Sequence, residues 1–166
     1  TSRRQRQMCI RDRLSEGIIE KSNSPFQHPV VMIKKADSTY RMAIDYRAIN
    51  SLTMIDSYPL PRINELLFSV GRAKFISSFD CSSGFYQIAM DPESKEYTAF
   101  CTHSNQFQFT RMSFGLVNAT ETYQRVINSV LKPCSDFAAS FVDDISTFSL
   151  QWDLHLQHID KVLEAV

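Results

Sequence analysis

The sequence predicts an α+β fold in which helices pack on one face of an antiparallel sheet. Three observations point there. Short extended stretches are joined by short polar loops, as in hairpins. Several stretches repeat apolar residues at helical spacing. The alternation of strand, helix and parallel strand is weak. At 166 residues the chain suits one compact domain or two small subdomains.

Residues 1–13 are rich in Arg and Gln and show no clear periodicity. The string Gln7-Met8-Cys9-Ile10-Arg11-Asp12-Arg13 resembles translated sequencing-adapter sequence. Residues 1–16 are therefore expected to be a basic arm, disordered or non-native, and carry no functional weight here. Ser22-Asn23-Ser24-Pro25 is a turn cluster. Val30 to Lys35 and Tyr40 to Tyr46 form a predicted hairpin around Ala36-Asp37-Ser38-Thr39. Pro59 and Pro61 end the extended chain. Ile63, Leu66, Leu67 and Val70 then lie on one helical face that Gly71 closes. Lys74 to Asp80 reads as a strand, and Phe85 to Met90, Tyr97 to Cys101 and Gln106 to Thr110 as further strands.

Asn118 and Glu121 have the spacing of a capping box. Tyr123, Val126, Ile127, Val130 and Leu131 follow on one face of a helix that Pro133 closes. Phe137 to Val142 and Ile145 to Leu150 are two strands with Asp143-Asp144 at their junction. A last helix presents Leu156, Ile159, Leu163 and Val166.

Composition bounds the function. The chain is 43% hydrophobic and 22% charged, an ordinary globular balance. Lys plus Arg equal Asp plus Glu at 18 each, so neutral charge counts mildly against a dedicated nucleic-acid binder. Cys9, Cys81, Cys101 and Cys134 form no Cys-x-x-Cys pair, so reduced thiols in an intracellular setting are expected. No apolar run approaches the roughly 20 residues of a spanning helix. Arginines interrupt any signal-peptide core, and no membrane partner is expected.

Asp143-Asp144 alone would be an ordinary polar turn. Its neighbours Phe141, Val142 and Ile145 are apolar, which brings the carboxylates to the edge of a core. Unpaired ionised carboxylates are costly there, and a divalent cation would neutralise them. Asp80 ends an apolar strand before the turn Cys81-Ser82-Ser83-Gly84. If that strand lies beside the hairpin, Asp80 and Asp143 share metals, and two ions would clamp a phosphoryl displacement.

Several segments together resemble one family. They are Ser22-Asn23-Ser24-Pro25 with Pro29-Val30-Val31, Arg41 to Asn50, Tyr58-Pro59-Leu60-Pro61, Phe79-Asp80 through Ser83-Gly84-Phe85-Tyr86-Gln87-Ile88, Phe114-Gly115-Leu116 with Asn118-Ala119, and Phe141-Val142-Asp143-Asp144-Ile145. From about residue 17 onward, the set is similar to the reverse transcriptase of gypsy-type LTR retrotransposons. The resemblance implies right-hand polymerase fingers (about 17–60 and 90–115) and palm (about 61–89 and 116–166). Thumb and RNase H are expected in the rest of a Pol polyprotein.

It further implies that Asp80, Asp143 and Asp144 bind two Mg2+ ions, or Mn2+, and are catalytic. Phe85 would be the aromatic gate beneath the nucleotide's sugar. Arg41 and Lys35 would hold the triphosphate, an Arg fork suiting phosphate oxygens. Phe114, Gly115 and Gln124 would lie near nucleotide and template. The implied partners are a template with its primer and deoxynucleoside triphosphates. The implied place is the cytoplasm, in retroelement particles.

Each residue has a plainer reading. Phe85 fits a core, Lys34 and Lys35 a solvated strand edge, and Gln124 an exposed helix position. Arg41 and Arg47 fit ion pairs with Asp45. His155 and His158, three apart, read as surface residues rather than metal ligands. Ser113, Thr120, Phe141, Ser146, Thr147 and Gln151 depart from the family pattern without removing a metal ligand. RNA-directed DNA synthesis is the leading expectation. A degenerate fragment that only binds nucleic acid is the alternative. A nucleotidyl cyclase ranks below both, because it does not explain Tyr58-Pro59-Leu60-Pro61.

Overall fold

The computed structural model describes residues 2–36 and 38–166. Asp37, placed by the sequence in a hairpin loop, lies outside the described residues, as does Thr1. The elements are α1 (Ser2–Ser15), β1 (Ile19–Lys21), β2 (His28–Lys34), β3 (Tyr40–Ile44), α2 (Arg47–Asn50), α3 (Ile63–Val70), β4 (Phe75–Asp80), α4 (Gly84–Gln87), β5 (Phe100–Cys101), β6 (Gln106–Phe109), α5 (Ala119–Val130), β7 (Ala138–Phe141), β8 (Asp144–Ser149) and α6 (Trp152–Ala165). Short 3-10 turns cover Lys95–Thr98 and Lys132–Cys134. The chain divides into two compact units, Thr1–Ile55 with Phe85–Ala119, and Asp56–Gly84 with Thr120–Val166.

The first unit is built on a five-stranded sheet in the order β1-β6-β5-β2-β3. Three pairings are antiparallel, while β2 and β5 run parallel through His28–Phe100 and Pro29–Cys101. The predicted hairpin is β2–β3, with Val30 opposite Ile44 and Lys34 opposite Tyr40. Ile19, Met42, Ile44, Tyr46, Phe100, Phe107 and Phe109 are buried together. Full burial of a Phe such as Phe100 or Phe109 contributes about 1.5–3 kcal/mol.

Residues 2–15, which the sequence reads as disordered or non-native, form α1. Ile10 is buried in the same cluster as Ile19 and Met42, and the Arg13 guanidinium donates to the Met42 carbonyl at 3.2 Å. Burial of Ile10 and long-range hydrogen bonds from Arg3 to His103 and from Arg13 to Met42 order a segment whose own pattern is weak.

Two expected strands are also revised. Phe85 to Met90 begins with the helical turn α4 and keeps only a single bridge, Ala89 to Arg111. Ser83, at φ +53, turns the chain out of its extended path, and Phe85 and Ile88 have helical rather than alternating spacing. Tyr97 and Thr98 end a 3-10 turn, which leaves β5 two residues long.

The second unit is built on a three-stranded antiparallel sheet in the order β4-β8-β7. Paired residues of antiparallel strands point to the same side. Ser77, Thr147 and Ala138 therefore share one face with Ile145 and Ser140. α5 and α6 both cover that face, since Gln124 bonds to Ser140 and His155 to Ser77 and Ser149. Helices on one face of an antiparallel sheet is the arrangement the sequence predicts. On α5, Tyr123, Ile127 and Leu131 are buried as expected, whereas Val126 is exposed.

The last helix turns a different side inward. Leu156, Leu163 and Val166 are exposed, and the buried residues are His155 and Val162. His155 is 1% exposed, not a surface residue, because its two ring nitrogens find Ser77 and Ser149 hydroxyls at 3.0 Å each. Those two strand hydroxyls give the inner face a polar requirement that leucine does not meet. His158 is half-buried, bonds Ser149 at 2.8 Å, and stacks on Phe137. On α3, Ile63, Leu67 and Phe68 remain exposed and only Leu66 and Val70 are half-buried. Among the described residues no helix is long and apolar enough to cross a membrane.

Candidate active site

The second unit gathers Asp80, Asp143 and Asp144 at one end of its sheet. β4 and β8 are neighbours, and their register sets Asp80 directly opposite Asp144. Asp143 occupies the two-residue loop Val142-Asp143 that joins β7 to β8, closed by the Phe141–Asp144 pair. The Asp143 carbonyl accepts the Cys81 amide at 2.9 Å, tying the loop to the end of β4. Strand adjacency, which sequence spacing leaves open, is thus present. Like charges directly opposite on a sheet repel one another. Burial pushes the Asp143 carboxyl above its ordinary value, and the Asp80 and Asp144 charges add to the shift.

The turn itself is strained. Val142 has φ +53, at the loop position where a two-residue hairpin usually carries glycine. A β-branched residue there costs of order 1–3 kcal/mol. Gln124 holds it in place. Its Oε1 accepts the Val142 amide at 2.8 Å, and its Nε2 donates to Asn128 Oδ1 at 2.9 Å and Ser140 Oγ at 3.0 Å. Gln124, expected beside nucleotide and template, is fully buried with its amide committed to the hairpin.

Asp143 Oδ1 is buried and takes no hydrogen bond from the described residues. A Cβ added at Gly84 would stand 2.6 Å from Tyr123 Oη and 2.8 Å from Asp143 Oδ1. Sequence reasoning put Tyr123 in the core and gave Gly84 no role. A glycine opening a short helix was the available signal of close approach.

Among the described residues no group of three His, Cys, Asp or Glu side chains stands ready-made as a metal cluster. The carboxylates nonetheless suit Mg2+ or Mn2+. They are hard oxygen donors under mutual repulsion, and Mg2+ is commonly held by one or two carboxylates with substrate phosphates completing its shell. Asp80, Asp143 and Asp144 are the residues that could hold it.

The first unit brings together three other expected residues. The Phe85 and Phe114 rings meet edge to face, 4.7 Å between centroids at 85°. The Arg41 guanidinium lies 5.0 Å from the centre of the Phe114 ring, in cation–π range. Arg41 therefore rests on an aromatic, whereas Arg47 makes the ion pair with Asp45 at 2.6 Å. That pair is solvent-exposed on the arginine side and lowers the Asp45 carboxyl to about 2, the Arg47 side-chain hydrogen bond being the main cause. Gly115 adopts φ +92, and its carbonyl accepts the Asn50 amide at 2.8 Å. Lys35 closes the β2–β3 hairpin through its backbone, donating to the Thr39 carbonyl at 2.8 Å.

Comparison with known proteins completes the description. Residues 33–166 match the family model described as reverse transcriptase (RNA-dependent DNA polymerase). The chain is 40% identical over 159 residues to the retrovirus-related Pol polyprotein from transposon 297 of Drosophila melanogaster, covering 92% of this chain and 15% of that protein. It is 35% identical over 164 residues to the Pol polyprotein from transposon gypsy of the same species, covering 95% and 16%. The foamy viral protease-reverse transcriptase in complex with RNA/DNA hybrid superposes with a TM-score of 0.88 at 28% identity, covering 96% of this chain and 21% of that one. The chain thus spans about a sixth of the curated relatives and about a fifth of that solved chain.

Proposed function

This chain belongs to the reverse transcriptase (RNA-dependent DNA polymerase) family, and on that premise we propose that it supplies the fingers and palm of a gypsy-type retroelement polymerase. The fingers are then about residues 17–60 and 90–115, and the palm about 61–89 and 116–166. The reaction is template-directed DNA synthesis, in which a primer 3′-hydroxyl attacks the α-phosphate of a deoxynucleoside triphosphate and pyrophosphate leaves. The observation that carries the proposal is the placing of three aspartates at one end of the sheet, with Asp80 registered against Asp144 and Asp143 in the joining loop.

Asp80, Asp143 and Asp144 would hold the divalent ions. Bound there, Mg2+ or Mn2+ lowers the pKa of the primer hydroxyl and neutralises charge on the transferring phosphoryl group. Arg41, kept in place by the Phe114 ring, offers its fork to triphosphate oxygens, and Lys35 adds a second cation. Phe85, pinned edge to face against Phe114, limits space at the sugar and favours deoxynucleotides. Gln124 acts on the Asp143 loop rather than on substrate. A template with its primer and the downstream thumb and RNase H are the partners, and cytoplasmic particles the setting.

Primer extension on an RNA template with Mg2+ tests this, using the chain joined to the thumb of a related Pol polyprotein. Wild type extends the primer. Asp143→Asn retaining full activity would falsify the assignment.

A further inference from the structure

The Val142 amide is a donor, so the Gln124 side chain must offer it Oε1, at 2.8 Å. That choice turns Gln124 Nε2 toward Asn128, whose Oδ1 accepts it at 2.9 Å. Asn128 then presents Nδ2 on its other side, where Tyr58 Oη accepts it at 3.1 Å. The polarity of this relay is fixed from the hairpin to Tyr58. An Asn128 side chain turned over would set Nδ2 against Gln124 Nε2, donor facing donor. Gln124 and Asn128 lie four apart on α5 and share one face. Arg125, three before Asn128, bonds the Asp56 carboxylate and lies 4.8 Å from the centre of the Tyr58 ring. Asp56 in turn accepts the Tyr58 backbone amide at 3.0 Å. Pro59 and Pro61, whose rings lock φ, follow in the chain. Tyr58 is thus held by its ring, its backbone and its stiff neighbours, a fixed post at the far end of the relay.

We infer that Tyr58 and Asn128 are positioning residues for the Asp143 loop, acting through Gln124. The link itself rests on the hydrogen bonds, and its catalytic consequence rests on the polymerase reading above. Val142 holds φ +53, a strained conformation that persists only while its surroundings restrain it. Gln124 supplies that restraint, and Tyr58 keeps the Asn128 acceptor turned toward Gln124. Tyr58→Phe keeps the ring against which Arg125 lies and removes only the hydroxyl. Loss of one net hydrogen bond is a factor of about two to ten in an equilibrium such as opening of the loop.

The test compares amide hydrogen exchange by NMR in the full 166-residue chain, with no metal or nucleotide added. Tyr58→Phe is expected to speed exchange of the Val142 amide about two- to tenfold. The Phe148 amide, which bonds the Phe137 carbonyl at 2.8 Å at the far end of the same hairpin, is expected to keep its rate. Asn128→Leu should speed Val142 exchange as well, and Tyr58→Phe should add nothing in that background. Equal changes at Val142 and Phe148 would show that Tyr58 supports only the fold, and unchanged Val142 exchange would show no link; either result overturns the inference. In the chain joined to a related thumb, Tyr58→Phe should lower kcat for deoxynucleotide incorporation by a similar factor with KM unchanged. Faster Val142 exchange with wild-type kcat overturns the positioning role and leaves the polymerase reading standing. A wild-type chain that extends no primer overturns the polymerase reading, and the catalytic role of Tyr58 and Asn128 with it, whatever the exchange rates.

Discussion

Gln124→Met tests whether the Asp143 loop is held from below. Methionine keeps the volume and removes every polar contact of the amide. The lost hydrogen bonds are those to Val142 N at 2.8 Å, Asn128 at 2.9 Å and Ser140 Oγ at 3.0 Å. Each contributes about 0.5–1.5 kcal/mol net, and a donor left dry costs about 1–3 kcal/mol. Relief of the Val142 strain, of order 1–3 kcal/mol, offsets part of this. The net expectation is a loss of about 2–3 kcal/mol. For a chain of this size that lowers the melting temperature by roughly 4–12 °C. Urea unfolding followed by circular dichroism measures it, with the slope unchanged if only the folded state is affected. Gln124→Glu keeps the acceptor for Val142 but loses the donors, so primer extension should fall less for Glu than for Met. A Gln124→Met loss below about 0.5 kcal/mol, the scale of an ordinary surface change, would refute the reasoning.

Two further predictions follow from the same geometry. Thr147 is fully buried on β8 and its hydroxyl has no partner among the described residues, so Thr147→Val should stabilise by about 1 kcal/mol or more in the same urea assay; destabilisation would show that the hydroxyl is bonded. Asp45 is held at about 2 by Arg47, below its ordinary 3.8, so its contribution to stability is present above 3.8 and is lost as pH falls through about 2. In Arg47→Ala its carboxyl resonance should titrate upward from about 2 toward 3.8 by NMR, the residue-47 amide still bonding it; an unchanged midpoint would assign the shift to another group.

Much of the architecture is local information. Val30 to Lys35 and Tyr40 to Tyr46 bracket a polar tetrapeptide, and they pair as read. The apolar residues of α5 recur at helical spacing, and three of the five are buried. The Asp143-Asp144 junction is legible because strand patterns flank it on both sides. Each of these signals is complete within about fifteen residues of chain.

What failed was decided by partners distant in sequence. α6 offers leucines on one side, yet Ser77 and Ser149 on the sheet call for the His155 side. α1 has little pattern of its own and is ordered by burial of Ile10 beside Met42 and Phe107. Gln124 looks like a helix-surface residue until Val142 and Ser140 are brought against it. The carboxylates show the same division. Their identity, and their place at strand ends, is in the sequence. Which of them face each other depends on the register of β4 on β8, and a shift of one residue would send Asp80 to the opposite face. That register, and the placing of Asp143 and Tyr123 beside Gly84, arises from contacts between residues 20 to 74 positions apart, where hydrophobic pattern carries no information about geometry.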